Sequence, residues 1–253
     1  MNPEPPLLII ARLANAFDLA QLPWCEAARE RISVNHAKFK NLEMLEVIVD
    51  AMPFVLSRLT AAETSQRFAA ARDQAPFRDL PSPGDSAIGI ELGDNLTSAR
   101  HLLEINRRLL LLGQWIGESL KASAAAWMPS RQVANIANYD QMVRQYLAGS
   151  PFPTLFQTSF SEVRRGYFVT TGLHYFAGQE IRLKAPPDYR LADVTDRLVR
   201  IIADIVTNGK IDRPTRSEGM VHGERLIYSP SNDLGHVDIA IRKDLVDTDP
   251  AKI

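Results

Sequence analysis

The chain has a single cysteine, Cys25, among 253 residues. It can form no disulfide within itself and no cysteine-based zinc site, which accords with a reducing compartment. Cys25 lies in "LPWCEAARE". A helix start could lower its thiol pKa, but a small buried side chain is the ordinary reading of a lone cysteine. Net charge is also lacking: Lys and Arg number 29 and Asp and Glu 30, a formal −1. That balance exerts no long-range pull on nucleic acid or an anionic membrane, so neither is expected as a partner. No stretch of about 18 uncharged apolar residues is present; the nearest, "LLLLGQWIGESLKASAAAW", is broken by Glu118 and Lys121. The opening "MNPEPPLLIIARLANAF" has no basic lead and is interrupted by Arg12, unlike a signal peptide. The expected location is therefore cytoplasmic, and the glycosylation triplet Asn95-Leu96-Thr97 counts as chance.

Sequence signatures of common chemistries are missing as well. There is no G-x-S-x-G elbow, no phosphate-binding glycine loop and no H-E-x-x-H. The histidines are His36, His101, His174, His222 and His236. His222 and His236 flank a loop carrying Glu218, Glu224, Asp233 and Asp238, donors that could hold a metal. A polar hairpin with scattered charges is the plainer account, so no metal and no cofactor are expected.

What is present is a mixture of apolar runs, alternation and amphipathic stretches in a chain that is 45% hydrophobic and 23% charged, the balance of an ordinary globular protein. At this length roughly 70–75% of the unfolded surface can be buried without disulfide or metal staples. Strands are expected at 7–13, 45–51, 54–59, 87–92, 123–128, 153–160, 166–173, 179–185, 224–228 and 236–242, with a turn at Met52-Pro53. Helices are expected at 19–32, 60–73, 97–121, 133–149 and 186–209, with a loop at 36–41. Thr60 and Glu63 have capping-box spacing. "QEIRLKA" alternates Ile181 and Leu183 with Arg182 and Lys184, the mark of a sheet with one wet face. The fold class is α+β, mainly antiparallel mixed sheets packed against several helices. Strand–helix–strand order recurs in both halves, pointing to two related α/β layers. The proline-rich "APFRDLPSPGDS" (75–86) divides an N-terminal subdomain, 1–80, from a C-terminal core, 86–243, followed by a polar tail, 244–253.

The segment "VTTGLHYFAGQEIRLKAPPDYR" (169–190) concentrates the candidate site residues. An extended 167–173 puts Thr171, Val169 and Tyr167 on one face and Thr170, Phe168 and Gly172 on the other. His174 and Glu180 then lie across a tight connection and could act as an acid–base pair. The plainer reading is a structural hairpin, so neither is assigned a catalytic role. Arg164 and Arg165, with Arg182, Lys184 and Arg190 near in sequence, could form a modest anion-binding surface, although a mixed-charge solvated face is the more ordinary outcome. Trp127, Thr171, Arg164 and Arg165 are the candidate binding residues.

"SAAAWMPSRQVANIANYDQMVRQYLAGSPFPTLFQTSF" followed by "VTTGLHYFAGQEIRL" resembles the bacterial family known as domain of unknown function 4261. The resemblance spans about residues 45–242. It rests on a small-residue strand ending in tryptophan (Ala124 to Trp127), and on a T-x-G-L element leading to an E-I strand (Thr170 or Thr171, Gly172, Leu173, Glu180, Ile181). "VIVDAMPFVLSRLTAAE" and "SAIGIELGDNLTSARHLLEI" fit its upstream segments. The chain departs from the family in having "PGDSAIGIEL" where a histidine often leads into the central strand. The resemblance implies a fold, no established reaction, and bacterial secretion or toxin–antitoxin surroundings for some relatives.

The leading expectation is a cytosolic bacterial interaction protein with a protein partner, an immunity or secretion-accessory factor being one form of it. The alternatives are a small hydrolase or transferase using His174 and Glu180, and a ligand-binding sensor with a pocket beside Trp127. An interaction protein would be expected to expose an apolar patch.

Overall fold

The computed structural model describes residues 4–14, 17–27, 31–35, 44–72, 82 and 84–243. The expected loop at 36–41 and the tail at 244–253 lie outside the described residues, as does most of the linker at 75–86. The chain is an α+β protein with two mostly antiparallel sheets. It divides into two units, Met1–Ser159 and Phe160–Ile253.

The first unit holds a seven-stranded sheet of β1 (Leu7–Ala11), β2 (Ile32–Asn35), β3 (Met44–Val49), β4 (Met52–Leu59), β5 (Ser86–Leu92), β6 (Ala124–Trp127) and β7 (Gln132–Asn135). Their order is β2-β3-β4-β5-β1-β6-β7, and neighbours run antiparallel. Its helices are α1 (Trp24–Ala27), α2 (Ala61–Arg72), α3 (Leu103–Leu120), α4 (Ile136–Leu147) and α5 (Thr154–Gln157).

All five residues of β1 are buried, because both faces of the sheet are covered there. Leu7 and Ile9 meet α3 at Gly113, where a Cβ would lie 2.6 Å from Leu7 Cδ2 and 2.5 Å from Tyr139 Oη. The missing side chain lets α3 settle on the sheet beside Tyr139, whose hydroxyl donates to the Leu110 carbonyl at 2.9 Å. On the opposite face Leu8 and Ile10 cluster with Leu59, Phe68, Ala87, Ala126 and Met128, Phe68 coming from α2. A strand buried on both sides reads as an unbroken apolar run, which is how "LLIIA" appears. The α2 start is capped as its spacing predicts: Thr60 N donates to Glu63 Oε2 at 2.8 Å and Glu63 N to Thr60 Oγ1 at 3.2 Å.

The second unit holds β8 (Ser159–Arg164), which begins at the boundary, β9 (Tyr167–Thr171), β10 (Glu180–Lys184), β11 (Thr215–Glu218), β12 (Glu224–Pro230) and β13 (His236–Lys243), with α6 (Leu173–Ala177) and α7 (Leu191–Asn208). The order is β11-β12-β13-β10-β9-β8. β10 runs parallel to β13 and antiparallel to β9. One sheet face, with Ile181, Leu183, Leu226, Tyr228, Val237, Ile239 and Ile241, is buried. Helix α7 covers it, burying Val194, Leu198, Ile201, Ile202 and Ile205.

Several expectations need correction. The division at 75–86 separates β4 from β5, which are hydrogen-bonded neighbours in one sheet, so the described units part at Ser159 instead. The β3–β4 turn is Asp50-Ala51, both at positive φ (46° and 65°). Pro53 sits inside β4 opposite Ile48, where its carbonyl accepts from Gly93 N at 2.9 Å. Where a helix is expected over 19–32, the described residues form a 3₁₀ turn, Leu19–Gln21, and the short α1, and Ile32 already belongs to β2. The helix expected from 97 begins at Leu103, after a separate 3₁₀ turn Asp94–Ala99. Residues 132–135 are strand before α4, with Asn135 capping that helix through Asn138 N at 2.9 Å. The strand expected at 153–160 is α5 followed by β8, and 173–177 is helix rather than the arm of a hairpin. Strands β2 and β11 were not expected.

A two-residue hairpin turn with both φ angles positive suits glycine or asparagine, and holding alanine there costs about 1–2 kcal/mol. Ala51 is exposed, so Ala51→Gly should stabilise the chain by about 1 kcal/mol after glycine's greater unfolded-state freedom is subtracted. Urea unfolding of the two proteins measures the difference.

Candidate functional site

Candidate chemistry begins at the junction of β9 and β10. Strand β9 ends at Thr171, Gly172 turns the chain at φ 96°, and α6 follows at once. The Glu180 carboxylate closes this junction. Its Oε2 accepts from Thr170 Oγ1 at 2.6 Å, and its Oε1 accepts from the main-chain N–H groups of Gly172 at 2.9 Å and His174 at 3.0 Å. Thr170 Oγ1 in turn accepts from Ile181 N at 2.7 Å. Glu180 and His174 are thus brought together, but His174 meets the carboxylate through its backbone while its side chain faces solvent. A carboxylate satisfied by a hydroxyl and two peptide N–H groups organises backbone; its lone pairs are not directed at a substrate proton.

A second carboxylate is held more deeply. Glu224 has no exposed side-chain surface, and Arg197 is 9% exposed. Arg197 Nη2 lies 2.6 Å from Glu224 Oε2 and Nε 3.0 Å from Oε1. Tyr189 Oη donates to Oε2 at 2.6 Å and Met220 N to Oε1 at 3.1 Å. The Arg197 guanidinium stands 4.5 Å from the Tyr189 ring centroid. Burial pushes the Glu224 pKa upward, but Arg197, Tyr189 and the Met220 N–H outweigh it and hold the carboxyl below its ordinary 4.5. Burial first, then the hydrogen bond to Glu224, pushes the Tyr189 hydroxyl up to about 12. All partners of this cluster are internal, and it locks α7 to β12.

The other candidates separate. Trp127 is wholly buried, opposite Leu7 in the sheet, so it presents no surface beside which a ligand could lie. Thr171 ends β9 half-buried. His222 lies in the loop between β11 and β12 and His236 at the start of β13. Among the described residues no three of His, Cys, Asp and Glu group as metal donors. Arg164 and Arg165, adjacent in sequence, open onto different recesses. Arg165 borders a hollow of about 550 Å³ with Glu162, Pro186, Pro187 and Tyr189.

Arg164 lines a shallow trough of about 620 Å³ on the sheet face opposite α7. Strand alternation builds it. Arg182 and Lys184 of β10 point away from buried Ile181 and Leu183, as do Asp238 and Arg242 of β13 from Val237, Ile239 and Ile241. Register sets Val169 opposite Arg182, Tyr167 opposite Lys184 and Arg225 opposite Arg242. Arg164, Arg182, Lys184 and Arg242 line the trough against one carboxylate, Asp238. Among the described residues none of these four cations forms an ion pair. Arg164 lies 3.8 Å and Lys184 5.7 Å from the Tyr167 ring centroid. Of the residues that the sequence groups as a modest anion-binding surface or, more ordinarily, a mixed-charge solvated face, Arg164, Arg182 and Lys184 line the trough and Arg165 and Arg190 do not, whereas Arg242, which lines it, and Arg225 beside it were not among them. The alternation in "HVDIAIR" was visible, but not the parallel pairing that sets β13 beside β10.

The chain matches no family model, no curated protein and no solved structure.

Both carboxylate clusters can be tested through stability. Glu180→Ala leaves two helix-start N–H groups without their acceptor and should destabilise the chain by about 1–3 kcal/mol, read as a lower denaturation midpoint. Arg197→Met strands a buried carboxylate and should cost about 3–5 kcal/mol, with Arg197→Met/Glu224→Leu recovering part of that loss. The pH dependence has two edges. Glu224 is depressed, so its contribution is complete above pH 4.5 and disappears as pH falls through the folded value. Tyr189 is raised from 10.0, so its contribution is complete below pH 10 and is lost as pH rises toward about 12. Melting curves across that range in the parent protein and Tyr189→Phe should differ by a flatter alkaline edge in the variant.

Proposed function

We propose that this chain is a non-catalytic interaction protein, cytoplasmic and bacterial, whose binding surface is the open sheet face of the second unit. The observation that carries the reading is the trough of Arg164, Arg182, Lys184 and Arg242, four exposed cations with a single carboxylate among them. Like charges held close together on a rigid sheet repel one another, and a negatively charged partner relieves that repulsion. The acid–base alternative has less support, because Glu180 is engaged with Thr170 and the α6 backbone. The sensor alternative has less support for a similar reason, Trp127 being sealed in the core.

The apolar patch expected of an interaction protein finds no support among the described residues, so the reading rests on charge. Among the described residues, exposed large apolar side chains are spread over different elements (Leu102, Leu147, Leu155, Val163, Leu191), with Met220 and Val221 adjacent in sequence. The partner in this reading is a protein, and nucleic acid and membrane are not. No helix among the described residues is long and apolar enough to cross a membrane. The resemblance to the bacterial family named above, and with it an immunity or secretion-accessory role, belongs to this proposal.

Affinity capture from the native lysate, run in parallel with parent protein and Arg182→Glu/Arg242→Glu, tests it. The expected result is a stoichiometric protein partner retained by the parent and lost from the variant, with equal melting temperatures. Retention of the same partner by the variant would place binding elsewhere.

A further inference from the structure

Resting on the interaction reading, we infer that the occupant of the trough is an acidic, extended polypeptide segment, rich in Asp and Glu, laid along β10 between β9 and β13. Charge complementarity is the first argument. The lining offers four cations against Asp238, and β12 sets Arg225 directly opposite Arg242 at its edge.

Spacing is the second. Arg182 and Lys184 are alternate residues of one strand, so their anchors stand about 6.6–6.8 Å apart, and neighbouring strands are about 4.7–4.9 Å apart. Alternate side chains of an extended peptide repeat at the same 6.6–6.8 Å, so carboxylates at every second position match the cations in step. The surface is also fixed in advance, since the buried opposite sides of β10 and β13 hold these strands in register.

The aromatic inventory separates a peptide from single-stranded nucleic acid, the other polyanion that a basic sheet face could accept. Binding a nucleic-acid strand relies on aromatic faces free to stack bases. The trough lining includes two aromatics, Tyr167 and Phe168. Phe168 is buried opposite Leu183. Tyr167 already carries the Arg164 guanidinium at 3.8 Å and the Lys184 ammonium at 5.7 Å from its ring centroid. That arrangement presents charge where a base would need a ring. Val163, 62% exposed, and the half-buried Val169 and Ile227 supply small apolar contacts for the methylene stems of an acidic peptide.

The test is fluorescence anisotropy on the full chain with a labelled decapeptide alternating Glu and Gly and, separately, a labelled oligothymidylate of similar charge. Peptide binding should weaken as salt rises, and Arg182→Glu/Arg242→Glu should lower affinity at least about tenfold. Lys210→Glu, an exposed charge reversal in the loop after α7, should leave binding unchanged. Arg182→Gln/Arg242→Gln is the milder pair if the reversal disturbs folding, and it should lose affinity in the same direction. Tighter binding of the oligothymidylate, an equal loss in Lys210→Glu, or no peptide binding would overturn the inference. The interaction reading is judged apart from this: a captured partner that depends on Arg182 and Arg242 sustains it even if the peptide fails, and a partner indifferent to both removes the trough as its binding surface.

Discussion

The second unit is organised around a negative charge withdrawn from water. Glu224 could not remain buried without the Arg197 fork, the Tyr189 hydroxyl and the Met220 N–H, because an uncompensated interior carboxylate is far too costly. Arg197 rides on α7 and Glu224 begins β12, so satisfying the charge also decides which sheet face the helix covers. With α7 committed to the side of Ile181, Leu183, Val237 and Ile239, the opposite side of the sheet is left to solvent, and its alternate residues are free to carry charge.

The first unit follows a different constraint. Its interior strand β1 is apolar on both sides and is covered by α3 on one face and by the cluster containing Phe68 on the other. Close approach governs that packing: Gly113 leaves room for Leu7 and for the Tyr139 hydroxyl, which fixes α4 against α3 through the Leu110 carbonyl. Trp127 is absorbed into this interior. Burial of this kind gives the unit stability rather than a surface, and the candidate chemistry lies in the residues after it.

How much of this was legible depends on how local each cause is. The alternation of Ile181 and Leu183 with Arg182 and Lys184 was readable because strand period is a property of neighbours, and so was the facial partition of Tyr167, Val169 and Thr171. The Thr60–Glu63 cap was readable for the same reason. Helix α6 was not. Five residues show no helical period, and its start is held by Glu180 from the next strand. Pro53 attracted the turn assignment that belongs to Asp50-Ala51, since proline signals turns more loudly than an aspartate held by Arg31 and Arg108. The basic trough was half visible: its β10 and β8 cations lie in one stretch of chain, whereas Arg242 enters through a parallel pairing that no local pattern reports.

That parallel pairing also spans the greatest sequence separation in the second sheet. The β12–β13 hairpin and the β9–β10 pair can each form from nearby chain, but β10 and β13 join only after α7, β11 and β12 have been placed between them in sequence. Closing so long a loop is entropically slow. The two halves of the cationic grid therefore meet at the pairing of greatest sequence separation in this sheet, where loop entropy and their mutual repulsion oppose the same contact.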